Sequence, residues 1–137
     1  MNIFDRLVKN SYNTAMGRNK KFDTVETIGQ IQQVFIQKGY NATSLDDLVQ
    51  ATGLLRGSLY STFGSKEGMF IAALSDSLEK ESEESWHLIL IAMTELTNQS
   101  KRVFEIINQW YHHQSYQAVT EKLGQIALKG SGITEVK

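Results

Sequence analysis

The fold is decided by residues 43–68, TSLDDLVQATGLLRGSLYSTFGSKEG. Ser44 followed by Asp47 has the spacing of a capping box, which starts a helix at Leu45. Leu45, Leu48 and Val49 then share one buried stripe. Gly53 stands where the chain turns sharply between two helices, a bend suited to a residue tolerant of positive φ, and Leu54 can fill the space beneath it. In the second helix Leu59 and Phe63 face inward and leave Arg56, Ser58, Ser61 and Thr62 outside. A short helix with a polar, non-acidic outer face suits insertion into a major groove, so the stretch reads as a helix-turn-helix.

Working outward, Ile28, Ile31 and Phe35, helped by Val25 and Val34, mark a helix over about residues 23–38 that ends at Gly39. On the other side Gly64 stops the second motif helix. Ser65 caps the next, whose Met69, Phe70, Ala73 and Leu74 turn inward and which runs to about Glu84. Its acidic later part reads as a solvated face. Trp86 to Leu96 is apolar nearly all round, so that helix is buried or awaits a partner. Val103, Ile107 and Trp110 or Tyr111 form another stripe, and Tyr116, Val119, Leu123 and Ile126 a last one, closed by Gly130 and Gly132. Near the N-terminus, Ile3, Phe4, Leu7, Val8 and Tyr12 suggest a short amphipathic turn that packs on the domain.

The 137 residues contain neither proline nor cysteine, and 41% are hydrophobic. The expectation is an all-α chain with a real core and no disulfide framework. The longest apolar run, Leu88 to Met93, is too short to span a bilayer, and no secretory h-region is visible, so a cytoplasmic protein is expected. The net charge of −1 divides unevenly: residues 1–70 carry eight basic and six acidic side chains, and residues 71–137 six and nine. This places the basic charge with the motif. Arg18, Lys20 and Lys21 form a basic arm free to follow a phosphate backbone or enter a minor groove, the competing reading being a solvated linker.

Residues 22–74, FDTVETIGQIQQVFIQKGYNATSLDDLVQATGLLRGSLYSTFGSKEGMFIAAL, resemble the DNA-binding domain of TetR-family transcriptional regulators through G-Y-x-x-T-S-L, A-x-G, R-G-S-L-Y-x-x-F and S-K-E. The resemblance implies a three-helix helix-turn-helix domain at 22–74, after an extension and arm at 1–21. A helical dimerisation and regulatory region follows at 75–130, then a tail at 131–137, the C-terminal part being short for the family. It implies that Arg56, Gly57 and Ser58 read bases while Thr43, Tyr60, Thr62 and Lys66 hold phosphates. Chemistry agrees for Arg56, which can give a guanine two parallel hydrogen bonds, and for Lys66 in the first turn of a helix. Leu55 replaces the family's usual Ser or Thr cap, a change worth about 1 kcal/mol of helix stability. Thr62 stands where many members carry His. Met16-Gly17-Arg18 resembles an ordinary family start, which makes residues 1–15 an addition or a start placed too early.

The function expected is sequence-specific regulation of transcription, in the sense of repression, by a homodimer on a pseudo-palindromic operator in double-stranded DNA. Its interface is expected from Val103, Ile107, Trp110, Val119, Leu123 and Ile126. With those helices committed to dimerisation, little chain remains to enclose a cavity, so weak or absent control by a small-molecule effector is expected. The rival reading is an interaction module, or a truncated regulator that forms mixed dimers with a full-length relative. No catalytic signature is present, so no enzyme activity and no cofactor is expected. His112 and His113 are adjacent and point about 100° apart, so no metal site is expected there. Tyr60 could instead be a core aromatic and Arg56 a solubilising charge. Trp86, Trp110 and Tyr111 could line a pocket, but core packing is the favoured reading.

Overall fold

The computed structural model describes residues 23–133, and every regular element among them is a helix. The expected amphipathic turn, Ile3 to Tyr12, and the basic arm, Arg18, Lys20 and Lys21, lie outside the described residues. Helix α1 spans Thr24–Lys38, with the Asp23 carboxylate accepting from the Val25 and Glu26 N–H groups at 3.0 and 3.3 Å. It ends at Gly39, whose φ of 83° is open to glycine at little cost. Ile28, Ile31 and Phe35 are buried as their spacing requires, but Val25 in the first turn is 69% exposed and takes no part in the stripe.

The capping box forms as expected. In α2, Leu45–Thr52, the Asp47 N–H donates to the Ser44 hydroxyl at 3.0 Å, and the Ser44 N–H donates to the Asp47 carboxylate at 2.8 Å. The Ser44 backbone N–H, then its hydroxyl and Lys38 at 3.2 Å, hold the Asp47 carboxyl below its ordinary value. A depressed carboxyl stabilises the fold above its unfolded pKa, and this contribution is lost as pH falls through the folded value. Gly53 adopts the left-handed conformation at φ 73° and leads to α3, Arg56–Phe63, which no side chain caps at Leu55.

Ser65 caps α4, Lys66–Lys80, through a 2.9 Å bond from the Gly68 N–H. The helix stops at Lys80 rather than near Glu84. Glu81 turns left-handed at φ 52°, and the Ser82 N–H reaches back to the Ser77 carbonyl at 3.1 Å. A non-glycine residue there gives no turn signal in sequence. Helix α5, Glu84–Ile91, continues into a π-helical turn, Ala92–Leu96, and is followed by α6, Lys101–Tyr111, and α7, Tyr116–Ser131. Gly132, left-handed at φ 82°, closes α7, whereas Gly130 lies inside the helix.

Helix α4 passes through residue 74, and a single core joins both sides of it. Phe35, Leu48, Leu59, Phe63, Phe70 and Leu74 are continuous with Leu88, Ile89, Leu96, Val103 and Ile106. The motif helices are therefore packed on the C-terminal helices through α1 and α4. Trp86 and Trp110 meet edge to face at 5.5 Å on the margin of this core, as the packing reading expected.

Candidate nucleic-acid interface

Three core contacts aim the outer face of α3. Leu59, Thr62 and Phe63, at i, i+3 and i+4, are all buried, leaving Arg56, Gly57, Tyr60 and Ser61 on the opposite side. Thr62 is 4% exposed, which corrects its placement among the outward residues and removes it as a phosphate contact. An eight-residue helix wedged against α4 buries a wider stripe than the Leu59 and Phe63 pair alone suggests. Tyr60 is 45% exposed, so it is not a core aromatic. Ser58 is half-buried, and a side chain added at Gly57 would meet only open space.

Arg56 is ion-paired with Asp46 of α2. Both are well exposed, so the pair adds little stability, but it presents the guanidinium beside the first motif helix rather than letting it sweep freely. Leu55, at 77% exposure, is an apolar residue displayed at the same end of the helix. From the sequence it reads only as a missing cap. Its exposure, which sequence could not show, marks it as a surface that would suit a thymine methyl group.

The two remaining phosphate candidates are turned inward. Thr43 is 1% exposed; its hydroxyl donates to the Gly39 carbonyl and its N–H to the Tyr40 carbonyl, so neither donor is left for a phosphate. Lys66 donates to the Tyr40 and Thr43 carbonyls at 2.9 and 2.8 Å and sits 4.4 Å from the Tyr40 ring centroid. At least two of the three ammonium protons are thereby used on the chain's own backbone. Tyr40 itself stacks on Phe35 and meets Phe70 edge-on. Burial, reinforced by Glu67, pushes its phenol above the ordinary value.

Charge is distributed differently from the count over residues 1–70. Residues 23–70 hold three basic side chains, Lys38, Arg56 and Lys66, against five acidic ones, a balance of 3 − 5 = −2. Lys38 is paired with Asp47 and Arg56 with Asp46. The excess of basic charge in the N-terminal half thus comes from residues 1–22, five basic against one acidic.

The C-terminal helices also depart from expectation. Val103, Ile107 and Val119 are buried within the single chain, and Leu123 packs partly against its core, so most of the expected interface stripe is used internally. Trp110 and Ile126 are half-buried. Helix α6 instead exposes Phe104 at 49%, beside a groove of about 280 Å³ that Met93, Thr97, Asn108 and Tyr111 help to line. An open cleft of about 660 Å³ lies between α7 and α5, lined by Ile36, His87, Leu90, Ile91 and Ile126 and bordered by the Glu83 and Lys122 ion pair at 3.1 Å.

A capped first helix, a left-handed glycine turn and a second helix whose polar face stands clear of the core define a helix-turn-helix DNA-binding domain. Residues 31–73 match the model of the bacterial regulatory proteins of the tetR family, and this helix-turn-helix domain is a TetR-family domain. The chain is similar to the HTH-type transcriptional regulator YezE of Bacillus subtilis, with 45% identity over 64 residues, 47% of this chain and 33% of that protein. It is also similar to the HTH-type transcriptional repressor ComR of Escherichia coli, 44% identical over 64 residues, 47% of this chain and 30% of the relative. The HTH-type transcriptional regulator QacR of Staphylococcus aureus is 34% identical over 59 residues, 43% of this chain and 31% of QacR. The chain thus spans about a third of the length of the curated relatives it matches. No solved structure matches it significantly. No helix among the described residues is long and apolar enough to cross a membrane.

Proposed function

We propose that the chain is a cytoplasmic, non-enzymatic repressor of transcription that reads a pseudo-palindromic operator as a homodimer. The observation carrying this reading is the outward face of α3, where Leu55, Arg56, Gly57 and Tyr60 stand clear of the core. Arg56 is the direct reader, with Gly57 and Ser58 beside it; Leu55 supplies an apolar contact and Tyr60 reaches a phosphate. The repressor names of similar proteins support the sense of regulation. Changing Arg56 to Ala should cost about 1–3 kcal/mol at one base-pair position and relax specificity there. Selection of duplexes from a random library by the wild-type and Arg56→Ala chains checks this. A uniform loss across all sequences would remove Arg56 from base reading, and a wild-type chain that binds no duplex in low salt would favour the interaction-module reading.

A single α3 offers too few base contacts for an operator, and two-fold pairing supplies the second half-site. The exposed Phe104 and the adjoining groove, rather than the buried Val103 and Val119, form the better surface for a second copy. Phe104→Glu should therefore give a monomer in sedimentation with an unchanged helical spectrum, because the ring is not part of the monomer core. A variant that sediments with the wild-type mass would refute this face.

A further inference from the structure

Glu95 lies in the π-helical turn of the C-terminal helices, yet its carboxylate grips the loop that enters the helix-turn-helix. One oxygen accepts from the Tyr40 N–H at 3.0 Å and from the Asn41 N–H at 2.7 Å. Its other oxygen lies so near Gly39 that a Cβ there would come within 2.8 Å of it, so Gly39 provides room for the carboxylate as well as the positive φ. The placement runs against the dipole of α1, whose partly negative C-terminal end this is, and the two charge-assisted bonds must offset that cost. A π turn also shifts the side chains beyond it by about 100° relative to an unbroken α-helix, and such turns recur at functional sites.

The loop is clamped from two directions with opposite chemistry. Lys66 of α4 holds its carbonyls at Tyr40 and Thr43, while Glu95 holds its N–H groups at Tyr40 and Asn41. Immediately beyond lie Ser44 and its capping box, then Asp46, which pairs with Arg56 on the outward face of α3. Polar contacts joined by a short stretch of backbone thus lead from the π turn through the loop and the first turn of α2 to the Arg56 guanidinium.

We infer that Glu95 is a positioning residue for DNA reading, a latch through which the C-terminal helices set the placement of α2 and α3. The inference rests on the DNA-binding reading above. Its test uses the full chain and its Glu95→Ala and Glu95→Gln variants, with the duplex selected by the wild-type chain and a scrambled duplex as probes, alongside amide hydrogen exchange. Glu95→Ala should speed exchange at Tyr40 and Asn41 by about tenfold or more. It should weaken binding to the selected duplex by about tenfold while leaving the scrambled duplex nearly unaffected. Glu95→Gln keeps one acceptor oxygen and should lie between Glu95→Ala and wild type in both measurements, which a general loss of folding would not produce. Unchanged exchange, or faster exchange with undiminished discrimination between the two duplexes, overturns the latch. A wild-type chain that selects no duplex overturns the DNA-binding reading and this inference with it, whereas a selecting wild type with an indifferent Glu95→Ala overturns the latch alone.

Discussion

Gly68→Ala should destabilise the chain by about 3 kcal/mol, the upper part of the usual range for overpacking, and lower the melting temperature by about 10 °C. Gly68 sits in the first turn of α4, where an added Cβ would fall 1.9 Å from the Phe63 carbonyl oxygen and 3.1 Å from its carbon. The obstacle is backbone at the end of α3, so no side-chain rotation can relieve it. Either α3 moves away from α4 or the Ser65 cap on the Gly68 N–H is broken. Helix propensity alone gives the opposite sign, since Ala within a helix is favoured over Gly by about 1 kcal/mol. A thermal melt followed by circular dichroism decides between them: a variant as stable as the wild type would mean that the close approach of α3 and α4 is not kept in solution.

Neutralising Arg18, Lys20 and Lys21 together should reduce DNA affinity by about two to three orders of magnitude in low salt and flatten the logarithmic salt slope by about 3 per chain. The basis is the charge balance of residues 23–70, −2, with Lys38 and Arg56 in ion pairs and Lys66 on backbone carbonyls. Phosphate neutralisation must then draw heavily on the N-terminal residues. Melting temperature should hardly change. Titration of a labelled duplex at several salt concentrations measures both quantities, and an unaltered affinity would reduce the three residues to a linker. Gly68→Ala thus acts on stability through packing, whereas neutralising the three basic residues acts on binding through charge alone.

Local signals in the sequence determined the elements whose partners lie within a few residues. The Ser44 and Asp47 box, the turn at Gly53, the stop at Gly64 and the Ser65 cap all close within a single turn of chain, and each forms as its spacing requires. Periodicity likewise placed Ile28, Ile31, Phe35, Leu59 and Phe63 inward, because one helical face must meet the core. The stripes of α6 and α7 were equally legible, but periodicity marks a face as apolar without naming what covers it. Only the tertiary structure decided that Val103, Ile107 and Val119 face the chain's own core and that Thr62 joins Leu59 and Phe63 beneath α3. It also decided the fate of the polar candidates. Lys66 finds its carbonyls 23 and 26 residues away, and Glu95 its N–H groups 54 and 55 residues away. Such pairings follow from how the helices pack, and no spacing rule along the chain encodes them.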